Sequence, residues 1–146
     1  MNKYRNQKIE VQGVLFDSKA EAEYYQRLLT MQAQGIVKAV ELQPVVELQP
    51  RFQHDGRTIR AITYAPDFKV EYTDGRVAYV DIKGMSTQQG ELKRKLWWYR
   101  FPDIPLLWIA KSKKWSKTGW IMWDELQSLR RANKREKEKK LAQNRI

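Results

Sequence analysis

Two aspartates and a lysine stand where one β-hairpin would bring them together. Asp67-Phe68-Lys69-Val70-Glu71-Tyr72 is followed by Thr73-Asp74-Gly75, and then by a second stretch that ends Val80-Asp81-Ile82-Lys83. A three-residue loop with Gly75 in the left-handed region pairs Tyr72 with Arg76. The ladder then sets Glu71 opposite Val77, Lys69 opposite Tyr79 and Asp67 opposite Asp81. One face carries Phe68, Val70, Tyr72, Ala78, Val80 and Ile82, all apolar or aromatic. The other carries Asp67, Lys69, Glu71, Val77, Tyr79, Asp81 and Lys83. A two-residue turn would mix charges into the apolar face, so the longer loop is the consistent choice. Directly opposed residues have Cβ atoms about 4.5–5.5 Å apart, and like charges there destabilise unless something binds between them. A divalent cation is the simplest remedy. Lys83 lies about 6.5 Å further along the same face, within reach of a phosphate held by that cation. Two carboxylates, a cation and an ammonium are the set that hydrolyses a phosphodiester. The competing reading is a solvated charged face, and it is accepted for Lys69 and Glu71 near the turn.

A third acid comes from an earlier helix. Phe16-Asp17-Ser18-Lys19-Ala20-Glu21 reads as a helix start, with Ser18 as cap and Glu21 three residues on, as in a capping box. The helix runs to about Gln34, and Gly35 suits its end. Glu21 shares a face with Tyr24, Tyr25 and Leu28, whereas Glu23 shares its side with Arg27 and Thr30. A carboxylate on a core-facing stripe needs a reason, and a metal site supplies one. A bond to Ser18 is the alternative, and the two roles are compatible.

These residues need elements to hold them. Strands are expected over 37–42, 45–52, 58–64, 67–72 and 76–83. A helix follows over 91–101, with Leu92, Leu96 and Tyr99 inward. After it come a buried strand over 106–110, a short strand over 120–123 and a helix from Asp124 whose apolar spacing fades after Leu129. The fold class is therefore α/β or α+β, a mixed central sheet flanked by helices. Residues 1–129 form the domain and 130–146 a basic tail, helical or disordered.

Composition narrows the chemistry. The chain of 146 residues has no cysteine and one histidine, His54. Disulfides, thiolate zinc sites, cysteine nucleophiles and multi-histidine metal sites are excluded, and a Ser-His-Asp triad would have to use His54. A metal must rely mainly on carboxylate oxygens, which favours Mg²⁺ or Mn²⁺. The first ten residues are polar and no apolar run is long enough to span a bilayer. A cytoplasmic protein without membrane or nucleotide cofactor is expected.

Glu21, then Pro66-Asp67, then Asp81-Ile82-Lys83 resembles the PD-(D/E)XK nuclease superfamily, with Asp at the (D/E) position. More closely, the chain looks like a family of small phage-encoded endonucleases akin to Holliday junction resolvases. Phe16–Glu21, Tyr64-Ala65-Pro66-Asp67-Phe68, Val80-Asp81-Ile82-Lys83-Gly84 and the Lys93-Arg94-Lys95 cluster carry that likeness, over roughly residues 16–110. The resemblance implies a restriction-endonuclease-like sheet and Mg²⁺-dependent DNA cleavage leaving 5′-phosphate ends. It implies metal ligation by Asp67, Asp81 and the Ile82 carbonyl, and by Glu21 directly or through water. Lys83 would orient or activate water and offset charge on the phosphorane.

The surroundings suit a polyanion. The formal net charge is +11, and residues 130–146 hold eight basic and two acidic side chains, so +6 of it lies there and +5 on the rest. Basic excess on both parts points to nucleic acid. Lys19, Lys93, Arg94, Lys95, Lys113 and Lys114 are expected at phosphates, and Trp115 on an exposed base. Trp97 and Trp98 are adjacent, so one of them is expected outside. The leading expectation is a structure-specific DNA endonuclease acting on branched DNA as a homodimer, in phage recombination or processing. A restriction- or repair-type nuclease is the alternative within that class. A non-catalytic nucleic-acid-binding subunit of a replication or packaging assembly is the alternative outside it.

Overall fold

The protein is described by a computed structural model covering residues 8–145. Residues 1–7 of the polar N-terminal segment, and the last residue of the tail, lie outside the described residues. The chain opens with a small hairpin, β1 (Ile9–Val11) and β2 (Val14–Phe16), and then α1 (Lys19–Ala33). Next come β3 (Val37–Leu42), β4 (Val46–Gln49), β5 (Phe52–His54), β6 (Arg57–Ile59) and β7 (Ile62–Tyr64). The central hairpin is β8 (Phe68–Tyr72) with β9 (Val77–Ile82). Then follow α2 (Gln88–Arg100), β10 (Leu106–Lys111), β11 (Trp120–Met122) and α3 (Trp123–Gln143).

The central hairpin has the expected register. Phe68 pairs with Val80, Lys69 with Tyr79, Val70 with Ala78 and Glu71 with Val77. Gly75 sits at φ 92°, where a side chain would be strained, and its N–H donates to the Tyr72 carbonyl. Phe68, Val70, Ala78 and Val80 are buried, so the alternation reads true. Around this hairpin the five-stranded sheet has the order β11-β10-β9-β8-β3, with β9 and β10 parallel and the other neighbours antiparallel. The parallel step is bridged by α2, as a crossover requires.

Two cores lie on the two faces of the sheet. On one, Tyr24 and Leu28 of α1 pack with Phe16, Val37, Phe68, Val70, Val80 and Ile109. On the other, Trp97 of α2 and Trp123 and Leu126 of α3 pack with Tyr64, Leu106, Trp108, Ala110 and Ile121. A parallel pair buried on both faces explains why residues 106–110 are uniformly apolar. α1 is capped as expected, with the Glu21 N–H donating to Ser18 Oγ at 3.1 Å. Its end closes through Gly35 at φ 75° and a 2.9 Å bond from the Ile36 N–H to the Met31 carbonyl.

Several expectations are corrected. The strands expected over 45–52 and 58–64 each break, giving the pair β4–β7 and a separate, largely exposed hairpin β5–β6. The hairpin β1–β2 had no clear sequence signal. α2 is rotated from the expected stripe: Leu92 and Tyr99 are exposed, at 58% and 89%, while Trp97 is buried and Leu96 half-buried. Trp97 decides that rotation. It is the largest surface the helix has to bury, and its Nε1–H finds the Ile104 carbonyl at 2.9 Å. Of the two states expected for the basic tail, the helical one is found as far as Gln143, the end of α3. No helix among the described residues is long and apolar enough to cross a membrane.

Phe68 is fully buried and its ring stacks 6.1 Å from that of Tyr25. Phe68→Ala should lower stability by about 3–5 kcal/mol. Tyr99→Ala, in the helix position wrongly expected inside, should change it by less than about 0.5 kcal/mol. Urea denaturation compares the two, and a large loss for Tyr99→Ala would contradict the observed rotation of α2.

Candidate active site

The site forms where the carboxyl ends of the parallel strands β9 and β10 meet the N-terminal turn of α1 and the start of α3. Open α/β sheets bind ligands at that edge. The ladder that pairs Phe68 with Val80 places Asp67 opposite Asp81 at its next step. Their carboxyl groups are in hydrogen-bonding contact. Asp81 is 8% exposed. It accepts from the Tyr64 hydroxyl and is ion-paired with Lys83 Nζ at 3.0 Å. Asp67 accepts from the Ile82 N–H at 2.7 Å.

Burial raises the Asp67 carboxyl to about 9, and the bond and charge of Asp81 push the same way. The Ile82 N–H opposes this, and the charge of Glu21 adds to it. Burial and the facing carboxyl thus favour a protonated form at this apposition. Glu21 is also raised, first by burial, with the charges of Asp17 and Asp81 adding and the Ser18 hydroxyl opposing. Burial and the adjacent Asp81 hold the Tyr64 phenol far above its ordinary range, so it remains a donor to Asp81. Its own oxygen accepts from Trp108 Nε1–H at 3.0 Å.

Glu21 stands between two cavities. A small one of about 110 Å³ joins it to Asp67, Phe16 and Gln43. A larger one of about 310 Å³ joins it to Ile82, Lys83, Lys111 and Arg130. Among the described residues no three acidic or histidine side chains already stand in a metal-holding cluster. The donor set still suits a hard divalent cation: two apposed carboxylates that need a proton to coexist, with a third acid along the same wall.

Residues 1–117 match the model of the family described as Protein of unknown function (DUF1064). The chain belongs to this family. Comparison with curated proteins and with solved structures finds no match. The span shared with DUF1064 contains Glu21, Asp67, Asp81, Ile82 and Lys83, and ends before β11 and α3.

The remaining expected residues separate. Lys19, Lys95, Lys113 and Lys114 are exposed, Lys93 and Trp115 half-buried. Arg94 is a correction: it is buried at 8%, bonded to Asp124 at 3.0 Å and Glu91 at 2.9 Å, with its guanidinium 4.0 Å from the Trp108 ring centre. It ties α2 to α3 and the sheet and is not available to a phosphate. Glu23 is not simply solvated; it is ion-paired with Lys111 at the end of β10. Tyr64 and Trp108 were missed. Their signal is weak but present: a tyrosine three residues before Asp67, and a tryptophan in the otherwise apolar stretch 106–110, each needing a partner once buried.

Asp67 keeps its proton to about pH 9 in the fold, against an ordinary value of 3.8. Between these values the folded chain binds more protons than the unfolded one. That contribution to stability is complete below the lower value and is lost as pH rises through the upper. Asp67→Asn should therefore flatten the fall in metal-free stability between about pH 5 and 9. Urea midpoints in EDTA measure it, and an unchanged decline in the variant would remove Asp67 as the source.

Proposed function

We propose that the chain is a metal-dependent nuclease that hydrolyses DNA phosphodiester bonds. The observation that carries this reading is the buried Asp67–Asp81 pair with Lys83 bonded to it. Buried like charges are expensive to maintain and gain a purpose where a cation replaces the shared proton. Asp67 and Asp81 would hold Mg²⁺ or Mn²⁺, with the Ile82 carbonyl and Glu21, directly or through water, completing the set. That ion would supply Lewis acidity at a phosphoryl oxygen and an acidified water.

The chain's own side chains do the rest. Tyr64, fixed by Trp108, aims Asp81. Lys83 is held between Asp81 and the Trp108 ring, 4.4 Å from its centre. Lys83 also lines the 310 Å³ cavity, where its ammonium would orient water and offset charge on the phosphorane. Water would add to phosphorus and give up a proton as the P–O3′ bond breaks, and the leaving oxygen would take a proton from solvent, giving 3′-hydroxyl and 5′-phosphate ends. Glu21 borders the same cavity and orients the water or the ion. The substrate in this reading is branched DNA and the active form a symmetric homodimer, because one chain offers one such site and paired cuts need two. Leu92, Trp98 and Tyr99 are apolar groups exposed on α2 for such a contact.

Purified protein with Mg²⁺ or Mn²⁺ should cut a four-way junction in preference to flaps, single strands or linear duplex. Asp81→Asn and Glu21→Gln should each lower the rate by about 10²-fold or more, and Glu23→Gln far less. Cleavage that survives both Asp67→Asn and Asp81→Asn would remove the assignment. Light scattering with and without the junction reports the oligomer, and a monomer that prefers linear duplex would defeat the branched-DNA part alone.

A further inference from the structure

Part of the basic segment expected as a helical or disordered tail lines a groove. Arg130, Lys134 and Lys137 recur at helical spacing on one face of α3, with Asn133 between them. That face closes a cavity of about 350 Å³ against Lys114 and Trp115 of the β10–β11 loop. No acidic side chain lines it. None of the three α3 cations has an ion-pair partner among the described residues, whereas Lys140 on the same helix pairs with Glu136 at 3.5 Å. Arg130 and Lys134 are like charges one turn apart, an arrangement that destabilises a helix unless an anion lies against it.

The groove also has a direction. Arg130 and Leu126 line both this cavity and the 310 Å³ cavity that holds Glu21, Ile82 and Lys83. The two adjoin along α3 at these residues. From Arg130 to Lys137 the helix rises roughly 10 Å, and a duplex strand presents a phosphate about every 3.4 Å of its axis. The three cations thus span about three phosphate spacings of one strand.

We propose that this groove is the track for the nucleic-acid strand on one side of the scissile bond, leading its phosphates over Arg130 to the site. The track's role beside the scissile bond rests on the nuclease reading, while its binding of phosphates does not. α3 then sets how the strand is held relative to Lys83, and it contributes to substrate affinity without touching the reacting phosphate.

The test is anisotropy of labelled duplex and single-stranded DNA with the full chain in EDTA, between roughly 50 and 200 mM salt. The variant is Arg130→Ala/Lys134→Ala/Lys137→Ala. The control is Arg131→Ala/Arg135→Ala/Lys139→Ala, which removes equal charge from α3 outside the groove lining. Alanine keeps the helix in both, and circular dichroism verifies it. The groove variant should lower the slope of log affinity against log salt by about 0.9 per lost contact on duplex, near three in all. The control should change it by less than one. In Mg²⁺ the groove variant should raise KM several-fold more than the control does. Equal slopes for the two variants, or no binding by the parent, would overturn the proposal, and cleavage by the parent would still stand. A groove-dependent slope in a parent that never cleaves would uphold the track and defeat the nuclease.

Discussion

Two carboxyl groups forced together at the buried end of a hairpin are the constraint around which the rest is arranged. The ladder leaves no choice: once the apolar face of β8 and β9 is buried, Asp67 and Asp81 must be neighbours. Everything nearby answers that conflict. The Ile82 N–H and the Tyr64 hydroxyl donate to the pair, Lys83 offsets its charge, and Trp108 orients both Tyr64 and Lys83. A hairpin built only for stability would place apolar residues at these two positions.

The Trp108 ring joins the site to the wider fold. Lys83 lies 4.4 Å from its centre and Arg94 4.0 Å, while its nitrogen serves Tyr64. Arg94 in turn reaches Asp124 at the start of α3. One indole therefore links β9, α2 and, through Arg94, α3. A basic residue that reads in sequence as a phosphate contact is instead part of the framework, because its planar fork suits two acids and an aromatic face at once.

What could be read in advance follows from the range of the interactions involved. The hairpin register depended on alternation and on Gly75, both local, and α1 on Ser18 and Gly35 at its ends. The mixed sheet flanked by helices followed from the order of such segments. The rotation of α2 was not legible, since it turns on Trp97 meeting Tyr64 and Tyr79 from distant strands. Tyr64 and Trp108 were hidden for the same reason: their polar ends matter only once the parallel register sets Trp108 beside Asp81. The direction of Glu21 was legible from the Ser18 cap three residues before it, and that of Lys83 from strand alternation counted out from the Gly75 turn.

α3 begins at the residue after β11, with no loop between strand and helix. Its 21 residues extend about 31 Å, and only the first turns, at Trp123 and Leu126, are buried in the core. The helix is thus a cantilever clamped at the sheet. A force applied near its free end acts as torque on Trp123, Leu126 and Arg130, which line the wall of the cavity beside Lys83. Whatever holds the far end of this lever has mechanical purchase on the cavity without entering it.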